Sequence, residues 1–220
     1  MKPIVAIDGP AAAGKGTLAR RLANTLGLPY LDTGLLYRAV GQRVLDLGGD
    51  PGDPATAEAA ALSLQPADLD RSDLRGPLAD AAAASVASIP NVRIALLAFQ
   101  RDFAVRAGAV LDGRDIGTVI FPDAAAKLFV TATLTERARR RWLELRAKGM
   151  DADIATVEED MRQRDAKDAA RAAAPLRAAA DAYRLDTSEM DAEAAYQAAL
   201  AFVRNRIDML CNLGPDRAIG

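Results

Sequence analysis

Residues 9–17 read Gly-Pro-Ala-Ala-Ala-Gly-Lys-Gly-Thr and directly follow a short apolar segment, Ile4–Asp8. The pattern Gly-x-x-x-x-Gly-Lys is typical of a loop whose backbone N–H groups turn inward around phosphate groups, with the positive end of a helix behind them. Lys15 would supply a point charge to the β and γ phosphates of a nucleotide. The following helix is predicted by leucines at every fourth residue and a terminal glycine: Leu18, Leu22, Leu26 and Gly27. Strand, loop and helix together favour a phosphate-binding loop over a purely structural turn.

This phosphate loop departs from the general pattern at one position. The residue after Lys15 is Gly16, where the pattern has the Ser or Thr that holds Mg²⁺, and Thr17 comes one position late. We therefore expect Mg²⁺ to be held through phosphates and waters rather than by this hydroxyl. The loop positions predicted to bind the nucleotide are Gly9, Pro10, Ala11, Ala12, Ala13, Gly14, Lys15, Gly16 and Thr17.

Composition narrows the class of function. The chain has 220 residues, a length that allows one domain with insertions. It contains no histidine, which excludes a histidine general base and most zinc sites. Phosphoryl transfer needs neither, because its catalysis is mainly positioning and charge neutralisation.

Net charge and cysteine content indicate which partners and which cellular compartment suit this chain. A net charge of −2 argues against a nonspecific nucleic-acid binder. The single cysteine, Cys211, allows no internal disulfide and fits a reducing compartment. The sequence shows no signal peptide and no apolar run long enough to span a membrane. We therefore expect a cytoplasmic protein with no membrane partner and no stable nucleic-acid partner.

Short apolar segments alternate with helical periodicity along the chain. The candidate strands are Ile4–Asp8, 29–31, 109–112, Ala126–Thr131 and 183–185, and helical spacing is clear within 92–103, 138–145 and 196–207. This alternation predicts an α/β fold with a parallel sheet covered on both faces by helices, and ligands at the carboxyl ends of its strands. Residues 48–78 and 148–173 break the alternation and are interpreted as insertions on the core.

Acidic residues end two of the predicted strands. Asp112 lies at the end of the third strand and Asp32 at the end of the second. A carboxylate at a strand end beside a phosphate loop is a natural ligand for Mg²⁺-bound water, and we expect Asp112 to act in this way. For Asp32, a helix cap or an Asx turn is a serious alternative.

Two later segments carry clustered charges. Arg164, Asp168 and Arg171 are spaced by four and three residues, which predicts that they share one face of a helix. Taken alone, such a trio is typical of a solvated ion-pair face. Residues 136–141, Glu-Arg-Ala-Arg-Arg-Arg, predict a basic surface helix or a weak contact for RNA.

Four segments together resemble the bacterial cytidylate kinase family: residues 9–17, 32–38 (Asp-Thr-Gly-Leu-Leu-Tyr-Arg), 112–124 and 164–176. The loop alone indicates only a nucleoside monophosphate kinase or a relative, but the last two segments are more specific to the cytidylate group. The resemblance runs nearly end to end. It implies a five-stranded parallel core (1–38, 93–147 and 172–220), a monophosphate-binding insert (39–92) and a mobile lid (148–171). The insert is shorter than in many members, which implies that part of its small sheet is missing.

The resemblance also implies roles at matching positions. It assigns ATP binding to the loop 9–17 and the acceptor phosphate to Thr33, Arg38 and Arg114. The base is assigned to Arg93 and its acidic partner Asp115. The ribose and phosphate are assigned to Arg164, Asp168 and Arg171. The implied catalytic residues are Lys15, Arg114, Arg164 and Arg171. A carboxylate can accept a hydrogen bond from the amino group of cytosine, whereas uracil reverses that polarity. The family's base-contacting serine falls at Ala84, beside Ser85.

The sequence therefore predicts transfer of the γ-phosphate of ATP to CMP or dCMP, with Mg²⁺ and without a covalent intermediate, by a monomer. One alternative is another P-loop kinase with a small acceptor such as UMP, dTMP, AMP or a metabolite. A second is a regulator that senses ATP and transfers nothing. The separate acceptor-site arginines argue against the regulator, since a sensor needs no second phosphate site.

Overall fold

The computed structural model describes residues 2–171 and 174–212. Within them lies a five-stranded sheet of order β2-β3-β1-β4-β5. Its strands are β1 (Ile4–Asp8), β2 (Tyr30–Asp32), β3 (Ala109–Gly113), β4 (Ala126–Thr131) and β5 (Tyr183–Asp186). β1 pairs in parallel with β3 and β4, and β4 pairs in parallel with β5. The predicted five-stranded parallel α/β fold is confirmed, and each predicted strand lies within one residue of its observed bounds.

Helices fill most of the remaining described chain. They are α1 (Lys15–Leu26), α2 (Thr33–Asp46), α3 (Pro54–Leu62), α4 (Pro77–Val86), α5 (Pro90–Val105), α6 (Leu134–Ala147), α7 (Ile154–Ala169) and α8 (Ala192–Asn212). Two 3₁₀ turns span Pro66–Asp70 and Ser72–Leu74, and a π-helical turn spans Ile116–Ile120. α1 ends at Gly27, whose φ of 62° is left-handed, as predicted. The helices predicted at 92–103, 138–145 and 196–207 are α5, α6 and α8.

The core of the sheet explains why the first strand is so apolar. Val5 and Ile7 of β1 are fully buried, because β1 is flanked by strands on both sides and covered by helices. Leu22 of α1 and Val203 of α8 are also fully buried and belong to the same apolar cluster. The register places Asp8 beside Gly113, one residue past Asp112, so the carboxyl ends of β1 and β3 meet at one edge of the sheet.

The chain divides into two compact units, one of residues 1–31 and 107–220 and the other of residues 32–106. Within residues 33–106, all of which the structure describes, every regular element is helical. The interior of this second unit is rich in alanine, and a Cβ placed on Gly41 of α2 would lie 2.7 Å from the Cβ of Ala82 on α4. The predicted insert 39–92 falls within the second unit and the predicted lid 148–171 within the first; their roles stay predictions.

The two stretches that break the strand–helix alternation are largely helical. α3 and α7 each begin with the same local signal, in which an aspartate accepts a hydrogen bond from the backbone N–H of a threonine three residues later. The distances are 2.8 Å for Asp53 and 2.9 Å for Asp153. The Gly, Pro and Asp residues around α3 and the low apolar content of α7 had obscured these helices in the sequence. α7 ends at Ala169, so the prediction that Arg171 lies on the same helix face as Arg164 and Asp168 was wrong.

Among the described residues, no single helix is long and apolar enough to cross a membrane. The pair Pro77–Val86 and Pro90–Val105, bent by 102°, meets the length and composition criteria only when its two helices are taken together.

Candidate active site

The phosphate loop is held in a conformation that few residues could adopt. Gly9 has φ 149°, and a Cβ there would lie 1.9 Å from the carbonyl oxygen of Val130, so only glycine fits. Gly14 (φ 86°) precedes α1, and Ala12 has a left-handed φ of 57° without being glycine. Lys15 begins α1, and its ammonium donates a hydrogen bond of 2.7 Å back to the carbonyl oxygen of Pro10. The strand–loop–helix prediction is confirmed.

Lys15 lies in an unusual electrostatic environment. Its side chain is buried, and burial, followed by the nearby charge of Arg114, lowers its pKa to about 7. Asp112 and Asp8 favour the charged ammonium, while Arg164 opposes it. An anion placed at the loop would supply the negative charge that this ammonium lacks.

Asp112 lies beside the start of α1. Tyr30 donates a hydrogen bond of 3.3 Å to its Oδ1, and its Oδ2 lies 3.4 Å from the position that a Cβ at Gly16 would occupy. The Asp112 carboxylate therefore lies within van der Waals reach of the first residues of α1. Across residues 2–171 and 174–212, no three acidic, histidine or cysteine side chains gather as a metal site. The role of Asp112 in holding Mg²⁺ through water therefore stays a prediction.

Asp8 is a site residue that the sequence reasoning missed. Its carboxylate accepts hydrogen bonds of 2.8 Å from the backbone N–H groups of both Ile116 and Gly117. Burial raises its pKa to about 6, although these two hydrogen bonds lower it; the charge of Asp115 raises it further. Asp8 thus fixes the turn that follows Asp115. The available signal was an acidic residue between an apolar strand and the loop.

Asp168 gathers two of the predicted arginines. Its side chain is only 3% exposed; Oδ2 accepts a 2.9 Å bond from Nε of Arg114, and Oδ1 lies 2.5 Å from Nη2 of Arg171. Burial acts to raise the pKa of Asp168, but Arg114 and Arg171 outweigh it and hold the pKa below its usual value. Arg164 adds to the same positive field. Arg171 therefore reaches this cluster from beyond the helix end.

The remaining predicted residues belong to the unit of residues 32–106. Thr33 is buried at the start of α2, and Arg38 donates from Nε to Asp80 over 3.0 Å. The guanidinium of Arg93 lies 5.8 Å from the ring centroid of Tyr37. Ser85 donates a hydrogen bond of 3.3 Å to the carbonyl oxygen of Ala81. Predicted residues are thus grouped in two sets, one in each unit.

The basic run 136–141 is a surface helix only in part, because Arg137 is buried, and the RNA-contact interpretation stays a prediction. Glu136 forms ion pairs with both Arg139 and Arg140, which lower its pKa to about 2. Arg140 also donates to the hydroxyl and carbonyl oxygens of Thr187. Arg137 is buried, with partners outside its own helix. Intramolecular contacts therefore engage most of this charge.

The parallel sheet, the loop between β1 and α1 and the buried lysine define a P-loop kinase fold. The solved structure of a gluconokinase from Sinorhizobium meliloti shares this fold. The two chains superpose with a TM-score of 0.55 and are 13% identical in sequence. The superposition covers 96% of this chain and 97% of the gluconokinase chain.

The sequence comparisons go further, and the chain belongs to the cytidylate kinase family. The family model for cytidylate kinase matches residues 5–205. A cytidylate kinase of Granulibacter bethesdensis is 60% identical over 206 residues, covering 94% of this chain and 99% of the relative. A cytidylate kinase of Acidiphilium cryptum is 62% identical over 200 residues, covering 91% of this chain and 94% of the relative. The family is one of nucleoside monophosphate kinases, which are phosphotransferases, so the predicted family and enzyme class are confirmed.

Proposed function

We propose that this chain transfers the γ-phosphate of ATP to CMP or dCMP, giving ADP and CDP or dCDP. The observation that carries the proposal is a second cluster of positive charge, formed by arginines outside the phosphate loop but in the same unit. There Asp168 holds Arg114 and Arg171 by ion pairs, and Arg164 adds its charge. A kinase needs two phosphate sites, one for the donor and one for the acceptor, whereas an ATP sensor needs one.

On the donor side, the loop N–H groups and Lys15 are proposed to stabilise the negative charge of the transferring phosphoryl group. Asp112 is proposed to hold Mg²⁺ through water. The bound ion neutralises charge on the phosphate oxygens. Because Lys15 is buried and already hydrogen-bonded within the loop, its amino group is positioned before the nucleotide arrives and needs little reorganisation.

On the acceptor side, the attacking group is an oxygen of the monophosphate itself. A phosphate monoester has a second pKa near 6, so at neutral pH this oxygen is already largely deprotonated. No general base is required, which agrees with a chain that contains no histidine. Arg114, Arg164 and Arg171 are proposed to align the acceptor and to screen its charge from the donor phosphates.

The remaining assignments for base and phosphate recognition are also proposals. Thr33 and Arg38 are assigned to the acceptor phosphate, and Arg93 with Asp115 to the cytosine base. The hydrogen bond that Nε of Arg38 donates to Asp80 supports the assignment of Arg38, because it fixes the direction of the guanidinium. The insert 39–92 and the lid 148–171 keep their assigned roles as proposals. A monomer in the cytoplasm, without membrane or stable nucleic-acid partners, stays a prediction.

The test is a panel of acceptors, with ADP formation measured in the presence of ATP and Mg²⁺. CMP and dCMP should be the best substrates among CMP, dCMP, UMP, dTMP and AMP. Activity should vanish when EDTA removes divalent cations and return when Mg²⁺ is added in excess. A clear preference for another monophosphate would favour the rival kinase function. ATP binding without transfer to any acceptor would favour the sensor.

A further inference from the structure

Arg137 is the most deeply placed arginine of the basic run, and its guanidinium connects three parts of the chain. Its side chain is 6% exposed. Nε donates to the carbonyl oxygen of Ala132 over 2.9 Å, and Nη1 donates to the carbonyl oxygen of Ala11 over 3.3 Å. Nη1 and Nη2 also bond the two carboxylate oxygens of Asp165, over 3.2 and 2.6 Å. Ala11 belongs to the phosphate loop and Asp165 to α7.

The bond to Ala11 reaches the loop where its backbone is strained. The next residue, Ala12, has φ 57°, a left-handed conformation that costs a residue with a Cβ about 1–2 kcal/mol and persists only when its surroundings enforce it. The peptide between the two alanines is trans. The carbonyl of Ala11 and the N–H of Ala12 therefore point in opposite directions. By fixing the carbonyl, Arg137 directs this N–H away from itself.

Asp165 gives the guanidinium a fixed orientation. A bidentate pair of this kind allows one planar arrangement, which a lysine could not reproduce. α7 itself is anchored on α6, because Val157 and Met161 pack with Ala138 in a small apolar cluster. One turn beyond Asp165, the same helix carries Asp168, which holds Arg114. α7 therefore supports the loop through one carboxylate and the arginine cluster through the other.

We infer that Arg137 is a positioning residue for the phosphate loop, and that Asp165 holds it in the orientation required to bind ATP. The inference rests on the proposed function only in taking ATP as the nucleotide bound by the loop. Loss of either side chain should release the Ala11 carbonyl and weaken ATP binding. The acceptor should be little affected, because its arginines are held by Asp168 rather than by Asp165.

The experiment measures ATP binding by calorimetry without an acceptor, and the KM values of ATP and CMP by steady-state kinetics. Arg137→Lys and Asp165→Asn should each weaken ATP binding by about 10- to 150-fold, as expected for a lost hydrogen bond to a charged group. The KM of CMP should stay within about 2-fold. The double variant should weaken ATP binding by less than the product of the two single effects, because both side chains act through one contact.

Two exposed residues of the same helices serve as matched controls. Arg139→Lys changes an arginine of α6 that pairs only locally with Glu136, and Asp160→Asn changes an exposed carboxylate of α7. Both should bind ATP as the parent protein does. Amide exchange of residues 11–13 should be faster in Arg137→Lys than in Arg139→Lys.

The outcomes separate the inference from the proposed function. ATP affinity within 2-fold of the parent protein in folded Arg137→Lys and Asp165→Asn would overturn the inference, as would equal rises in the KM values of ATP and CMP. If Arg137→Lys fails to fold, the ATP affinity of the milder Asp165→Asn variant decides whether the inference holds. If the parent protein binds ATP but does not phosphorylate CMP, the proposed function fails while the binding comparison still tests the inference.

Discussion

Binding of ATP at alkaline pH should transfer a proton from solution to Lys15. Burial and the neighbouring Arg114 lower the pKa of this ammonium to about 7 in the free protein. Phosphate groups placed against it would favour the charged form and raise the pKa toward the ordinary value of 10.5. Above neutral pH, Lys15 is therefore mainly neutral before ATP binds and charged afterwards.

The size of the effect follows from these two pKa values. At pH 8, a group with a pKa near 7 is protonated in roughly a tenth of the molecules, so binding should take up about 0.9 proton per ATP. The terminal phosphate of free ATP is already ionised at this pH and contributes little. Because the bound state holds the additional proton, the binding constant should fall by about tenfold per pH unit between pH 8 and 10.

The assay is calorimetry of ATP binding at pH 8 in two buffers with different ionisation enthalpies. The difference between the two observed binding enthalpies, divided by the difference between the two buffer ionisation enthalpies, gives the number of protons taken up. Lys15→Met, which keeps a similar length without a titrating group, should take up close to none. Uptake below about 0.2 proton in the parent protein, or equal uptake in Lys15→Met, would refute the electrostatic account of this lysine.

Two further predictions concern the acceptor side. Asp168→Asn should lower the free energy of unfolding by about 2 kcal/mol, less than for a fully buried pair because Arg114 and Arg171 are each about one-fifth exposed. It should also raise the KM of CMP, and unchanged thermal unfolding with unchanged KM would contradict the prediction. Because the pKa of Asp168 is lowered in the folded state, this stabilisation should be complete above the unfolded-state pKa of about 3.9 and be lost as the pH falls below it. Asp115→Asn should reduce kcat/KM for CMP more than for UMP, narrowing their ratio by about 5- to 150-fold, because the amide can donate to the uracil oxygen. A parallel fall for both substrates would instead place base selection elsewhere.

The sheet and the phosphate loop could be predicted from the sequence because their signals are local. Parallel strands buried on both faces are continuous short apolar runs, and β1 is such a run from its first residue. The loop needs glycine where no other residue fits, and Gly9 against Val130 shows the reason. The roles of the acceptor residues came only from the family resemblance and stay predictions.

The contacts of Arg137 and Asp8 could not be predicted, because they join distant positions. Arg137 and Arg139 lie in the same basic run, yet the first is buried and the second has 54% of its side chain exposed. The difference depends on Asp165, 28 residues further along the chain. Asp8 likewise depends on two N–H groups more than one hundred residues away. Sequence spacing alone gives no measure of such proximity.

The alanine-rich interior of residues 32–106 determines which substitutions this unit can tolerate. Where Gly41 faces Ala82, one methyl group is the whole side-chain volume, so truncation there can leave only a very small cavity. Any enlargement instead forces α2 and α4 apart, at a cost of about 1–3 kcal/mol for each overpacked position. A substitution scan should therefore show intolerance to bulk at this contact, whereas the fully buried Leu36 and Val40 of α2 should be intolerant to loss of bulk. For engineering, stability in this unit is more readily improved at helix ends and on the surface than within its interior.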